Sequence, residues 1–228
     1  MAPGRNAILA SGHVPVTYGK LPVRVKGVVS GLRSLGIDRG DRVAVVLPNG
    51  PEAAVTVIAV ATAAVCVPLN PGFTADESYR YFGDLQLAAL LTLADMDSAC
   101  RNVAHSLGIP VIDLSPRPSE GPGAFTLVGS GTHGGTGGGR VPTANDHAFI
   151  LFTSGTTSRP KMVPLTHASV CLSAYNAAAV LQLDPRDRLL NVLPLFHAHG
   201  LISGLLTALA AGSIVVCTPG FEDRKSVV

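Results

Sequence analysis

The chain has 228 residues, of which 47% are hydrophobic and only 14% charged, so it can bury a substantial core and does not belong with disordered sequences. A net charge of +2 from scattered lysines and arginines, with few aromatics and no tryptophan, excludes the basic stripe of a nucleic-acid binder. Its four cysteines, Cys66, Cys100, Cys171 and Cys217, form no Cys-x-x-Cys pair and are read as reduced core thiols of a cytoplasmic protein.

Residues 1–16 read as a tail whose one apolar run, residues 7–10, is too short for a secretory leader. Leu21, Val25, Val28, Leu32 and Leu35 then recur at helical spacing, although Pro22, Gly27 and Gly31 interrupt them. Gly36-Ile37 supplies a left-handed stop, the glycine taking positive φ and the isoleucine packing back. Residues 42–47 read as a strand. Two charge-free stretches, 53–69 and 201–217, fall short of the roughly 20 residues a bilayer needs. Pro51 and Glu52 suit a helix start, Pro68 closes a β-branched run, and Gly204 and Gly212 divide the second stretch. Each is therefore read as buried helix then buried strand, with no membrane span.

A helix at 75–82, a strand at 88–93, a helix at 95–107 and a strand at 111–114 continue the alternation. Residues 17–114 are thus expected to form a first α/β subdomain, with mostly parallel strands covered by helices. Residues 115–145 read as a Pro/Gly-rich linker. A nominal Gly-x-Gly-x-x-Gly between Gly129 and Gly134 fails the dinucleotide fingerprint, because no helix follows it. Residues 146–220 resume with strands at 149–152 and 162–165, a helix at 166–181 and a strand at 188–193, and residues 221–228 read as a tail.

The first two of those strands enclose the most informative segment. Residues 153–161 carry five hydroxyls, from Thr153, Ser154, Thr156, Thr157 and Ser158, together with Gly155 and, at the end, Lys161. Many N–H and O–H donors, small side chains and a terminal cation are what a polyphosphate requires. The bland alternative is a Ser/Thr-rich turn between two strands.

The run Leu151-Phe-Thr-Ser-Gly-Thr-Thr-Ser-Arg-Pro-Lys161 resembles the phosphate-binding signature of the adenylate-forming enzymes, the acyl-CoA synthetases and their relatives. It departs from the usual pattern at Ser158 and Met162, where glycine is customary. Ser158-Arg159 with Val163-Pro-Leu-Thr-His167 is similar to the oxalate–CoA ligase-like and coumarate–CoA ligase-like branch. Thr17-Tyr18, Ala64-Val-Cys-Val-Pro-Leu-Asn-Pro71 and Pro194-Leu-Phe-His-Ala-His-Gly-Leu201 also look like family segments, in family order, so the resemblance covers about residues 17–220.

The resemblance implies an α/β fold, the incomplete N-terminal portion of an adenylate-forming domain, and a two-step reaction. A small carboxylic acid attacks the α-phosphorus of ATP, accompanied by Mg2+, and coenzyme A then displaces AMP. Thr153, Ser154, Gly155, Thr156, Thr157 and Lys161 would hold the β- and γ-phosphates. His197 would stand between acyl pocket and nucleotide as a gate that helps place the carboxylate; His199 and Gly200 would border the substrate, the glycine allowing close backbone approach. The family's later nucleotide motifs and the C-terminal domain carrying its adenylation lysine are not found before Val228. A fragment without turnover of its own is therefore expected, self-associating through an exposed sheet edge. A relative of full length could be peroxisomal, but this C-terminus carries no targeting tripeptide.

Two other readings stay open. One is a non-catalytic remnant that binds a nucleotide or a partner. The other is a metal-dependent hydrolase built on His197 and His199, for which His-x-His supplies two of the three or four ligands a metal site needs.

Overall fold

A computed structural model describes residues 2–12, 14–129, 141–153 and 161–219. In chain order the elements are β1 (Asn6–Ala10), β2 (Val16–Thr17), α1 (Lys20–Ser34), β3 (Arg42–Val46), α2 (Pro51–Ala63), β4 (Val65–Pro68), α3 (Ala75–Leu85), β5 (Ala89–Leu93), α4 (Ala99–Ser106) and β6 (Val111–Pro116). There follow a 3-10 turn (Pro118–Glu120), β7 (Phe125–Gly129), β8 (His147–Thr153), β9 (Lys161–Thr166), α5 (His167–Val180), β10 (Arg188–Asn191), a π-helix (His199–Leu206), α6 (Thr207–Ala211) and β11 (Ile214–Cys217).

Seven strands form one sheet in the order β7-β6-β5-β3-β4-β8-β9, parallel except where β7 and β9 run antiparallel at its two edges. The alternation of β3 sends Val43 and Val45 to one face and Ala44 and Val46 to the other. The first face packs on α1 and α2; the second packs on α3 and α4 through Phe82, Leu85, Cys100 and Val103. Hydrophobic residues on both faces are what a parallel sheet covered by helices demands.

A second sheet of four strands, β10-β11-β1-β2, lies beyond α2. The expected tail supplies its β1, parallel to β11 with Ile8 opposite Val215; Ala7 and Ile8 are fully buried there. Enclosure between two layers explains why α2 is apolar all round: nine of its 13 residues are buried. The two charge-free stretches are indeed helix then strand, and no described helix is long and apolar enough to cross a membrane.

Local signals account for most boundaries. Helix α1 ends as expected, with Gly36 at φ 86° and the Ile37 N–H donating to the Leu32 carbonyl at 3.0 Å. Thr74 and Glu77 form a capping box on α3. Helix α4 begins at residue 99 and not 95, because the Ser98 side chain accepts from the Arg101 N–H and caps it there. The expected linker is not wholly irregular: β7 pairs antiparallel with β6 from Gly129 opposite Ile112 to Phe125 opposite Pro116.

Candidate functional site

Open parallel sheets take up ligands outside the carboxyl ends of their strands. There the protein has a cleft of about 130 Å3. Pro68, Leu69 and Asn70 enter it from the end of β4, Phe152 and Thr153 from the end of β8, Phe73 and Tyr81 from the α3 side, and Phe196 and His197 from the turn after β10. Phe73 stacks on Tyr81 with ring centroids 4.6 Å apart, and Tyr81 meets Phe152 edge-on at 4.6 Å. Burial, aided by the Glu77 charge, raises the Tyr81 pKa, keeping it a neutral phenol. One side of the cleft is thus aromatic, while Asn70, Thr153 and His197 supply its polar groups.

The hydroxyl-rich segment is anchored at this same edge. Strands β8 and β9 pair so that Thr153 stands opposite Lys161, and Lys161 is exposed. Ser154, Gly155, Thr156 and Thr157 lie outside the described residues. Met162, expected to occupy a glycine-like backbone, sits instead opposite Phe152 in the β8–β9 ladder. Among the described residues only Gln86 and Gln182 combine a side chain with positive φ, so the Met162 backbone carries no left-handed strain.

The His-Ala-His-Gly segment divides. His197 is exposed and lines the cleft, its ring 4.6 Å from that of Phe196. His199 is also exposed but opens the π-helix and is not part of the cleft wall. Gly200 is buried, and a Cβ there would lie 2.3 Å from the Pro194 carbonyl oxygen. The close approach that demands glycine is therefore to the chain's own turn. Among the described residues no three His, Cys, Asp or Glu side chains gather as metal ligands.

A larger hollow of about 530 Å3 opens at the opposite, amino ends of β3, β4 and β8. Its charges are already satisfied by the protein. Arg39 donates to Asp146 at 2.6 Å, and Arg42 donates to the Leu85 carbonyl at 2.9 Å. Asp146 also accepts from the Thr143 N–H at 2.5 Å and hydroxyl at 2.9 Å. The Thr143 backbone bond, with help from Arg39, holds the Asp146 carboxyl down to about 2. Volume and chemistry point to different ends of the sheet, and the chemistry points to the smaller cleft.

Sequence reasoning named Thr153, Lys161 and His197 but missed the aromatic wall and Asn70. Asn70 lies just beyond the carboxyl end of β4, where the strand-end rule alone directs attention.

The AMP-binding enzyme family matches across residues 1–228. A probable CoA ligase, CCL9, of Humulus lupulus is 38% identical over 223 residues, covering 92% of this chain and 41% of the relative. An oxalate–CoA ligase of Arabidopsis thaliana is 36% identical over 215 residues, covering 93% of this chain and 42% of the relative. The chain thus spans about two fifths of the length of these curated relatives. The solved structure of ATP-bound MatB from Rhodopseudomonas palustris superposes with a TM-score of 0.80 at 26% identity, over 97% of this chain and 43% of that one. The O-succinylbenzoate coenzyme A synthetase MenE of Bacillus subtilis, in complex with ATP and magnesium ion, does so with a TM-score of 0.76 at 25% identity, over 97% and 55%. With Thr153 and Lys161 paired at the carboxyl edge of the sheet and the match running the length of the chain, the protein belongs to the AMP-binding enzyme family.

Proposed function

We propose that this chain supplies the phosphate-holding and part of the acid-binding surface of an acid–CoA ligase. In the reaction a carboxylate oxygen attacks the α-phosphorus of ATP, the bond to the bridging oxygen breaks and pyrophosphate leaves; the thiol of coenzyme A then attacks the acyl carbon and displaces AMP. The observation that carries this reading is the pairing of Thr153 with Lys161 at the edge of a cleft that also contains His197.

In this reading Thr153, Ser154, Gly155, Thr156, Thr157 and Lys161 hold the β- and γ-phosphates, while Mg2+ accompanies the nucleotide as a counter-charge. The protein's contribution is positioning and neutralisation of spread-out charge. His197 bounds the place of the carboxylate, and His199 and Gly200 shape the segment that carries it. A small acid fits the cleft, and oxalate is the first to try, given the oxalate–CoA ligase among the relatives. The non-catalytic alternative is a remnant that binds the nucleotide, or a partner, without the acid. Self-association through the open β10 edge, where Leu190 is exposed, belongs to the same proposal and is tested by size-exclusion chromatography.

The experiment is a titration of Mg·ATP into wild type and Lys161→Ala, followed by pyrophosphate release with a panel of carboxylates including oxalate. Binding that weakens in Lys161→Ala supports the phosphate role. This chain by itself is expected to release no pyrophosphate, and carboxylate-dependent release above the Lys161→Ala control would overturn that expectation. Absence of Mg·ATP binding in the wild type rejects the phosphate-holding reading and the nucleotide-binding remnant, and leaves only the remnant that binds a partner.

A further inference from the structure

The turn that presents His197 is fastened to the other sheet by one side chain. Asn49 follows β3 in the seven-stranded sheet, whereas residues 192–198 follow β10 in the four-stranded sheet. The Asn49 carboxamide meets this turn with both of its functions. Its Nδ2 donates to the Leu193 carbonyl at 3.0 Å, and its Oδ1 accepts from the Leu195 N–H at 3.0 Å. The amide thereby takes the place of a neighbouring strand at the carboxyl ends of the two sheets.

Three further contacts leave this turn little freedom. Leu195, between the two bonded groups and His197, is buried at 4% exposure beside Val45, Leu47, Ala53 and Val57. The His197 N–H donates to the Pro194 carbonyl at 3.2 Å. On the far side Asn191 donates from Nδ2 to the Gly200 carbonyl at 3.3 Å, and a π-helix begins at His199. Such helices are rare and concentrate at functional sites. His197 itself is exposed, with no hydrogen bond from its own ring to fix it among the described residues. Its place in the cleft is therefore set by its backbone.

We propose that Asn49 is a positioning residue: its two-way clamp on Leu193 and Leu195 sets His197 in the cleft at the carboxyl ends of β4 and β8. The inference rests on the proposed role of His197 beside the acid, and it couples the two sheets at the point where that acid would react. Asparagine suits the task because it offers a donor and an acceptor in one plane. Aspartate in its ionised form keeps only the acceptor and sets a negative charge against the Leu193 carbonyl; protonated, its O–H donates where the amide N–H did.

The test compares wild type, Asn49→Ala and Asn49→Asp by amide hydrogen exchange and by the NMR signal of the His197 ring. In Asn49→Ala the protection of the Leu195 amide falls about fivefold or more, the equivalent of a bond worth roughly 1 kcal/mol, and the His197 ring signal shifts and broadens. The amides of Val43 and Val45 keep their protection, showing that the sheet is intact. Asn49→Asp at about pH 8 keeps the acceptor for the Leu195 N–H, so its Leu195 protection stays closer to wild type than that of Asn49→Ala, while loss of the donor to the Leu193 carbonyl still shifts the His197 ring signal. Unchanged Leu195 protection and His197 signal in Asn49→Ala would overturn the proposal. Equal loss of protection at Val43 and Val45 would also overturn it, because Asn49 would then serve the fold at large. The phosphate reading fails separately, through Mg·ATP binding that ignores Lys161→Ala, and that result leaves the exchange and ring measurements as the judges of Asn49.

Discussion

The two ends of the seven-stranded sheet differ in a way that volume alone misrepresents. At the amino ends, a hollow of about 530 Å3 is bordered by turns whose charges have internal partners, Arg39 with Asp146 and Arg42 with the Leu85 carbonyl. At the carboxyl ends, a cleft of about 130 Å3 gathers Asn70, Thr153 and His197 around an aromatic wall, beside the exposed Lys161. Polar groups that satisfy one another hold a fold together; polar groups that face a cleft are available to a ligand. The comparison teaches that the chemistry facing a cleft identifies a site better than size does, even where one of its groups, the Asn70 oxygen, already accepts from the Gly72 N–H at 2.9 Å.

The strongest way to break this comparison is to remove a cation at each end. Lys161→Ala is expected to weaken Mg·ATP binding about ten- to hundredfold, since a charge-assisted contact is worth roughly 1.5–3 kcal/mol. Arg39→Ala should leave that affinity unchanged. Titration calorimetry on both variants checks the pair, and equal losses would erase the distinction between the ends.

A second change sharpens the carboxyl end. Gly200→Ala drives a methyl group against the Pro194 and Leu193 carbonyl oxygens, 2.3 and 2.7 Å from the added carbon. Overpacking of this kind costs about 1–3 kcal/mol, so the melting temperature should fall by several degrees. Gly40→Ala at the amino end adds a methyl to open space but at φ 92°, and it is expected to cost less, about 1 kcal/mol.

Much of this contrast was legible in the sequence. The strand β3 and the Gly36-Ile37 stop were readable because local chemistry dictates them. The two short apolar strands enclosing the hydroxyl-rich segment were readable, but not that the ladder runs one residue further at each, to Thr153 opposite Lys161. The second sheet was not legible, because Asn6–Ala10 is assigned by a partner, β11, more than 200 residues later. Asn49 was invisible for the same reason: its amide bonds a turn 144 residues away. At Met162 the customary glycine suggested either positive φ or a close approach to phosphate, and the extended ladder with Phe152 removes the first of these.

Acid titration probes the amino end. The Asp146 carboxyl is held down to about 2 by the Thr143 backbone bond and by Arg39, against about 3.9 in an unfolded chain. A depressed folded-state pKa gives stability that is present above about pH 4 and is lost as pH falls towards 2. Asp146→Asn should therefore flatten the fall in denaturation midpoint across that window while leaving Mg·ATP affinity at neutral pH intact. A midpoint that still falls as steeply would show that the Asp146 contacts do not hold this end.

The smallest effect is expected at Met162. Its extended backbone and 42% exposure leave no strain to relieve, so Met162→Gly should change Mg·ATP affinity by less than about twofold. Its measurable consequence is a slight loss of stability, because glycine weakens a strand by roughly 0.5–1 kcal/mol. A large gain in affinity would mean that Met162 crowds the phosphates.

The most direct measurement is the map of backbone amide shifts as Mg·ATP is added to isotope-labelled protein. Binding at the carboxyl ends predicts that Thr153, Lys161, Asn70 and His197 move first and furthest, while Arg39, Asn145 and Asp146 remain still. Saturable shifts confined to Arg39, Asn145 and Asp146, or no saturable shifts at all, would contradict the placement of the site.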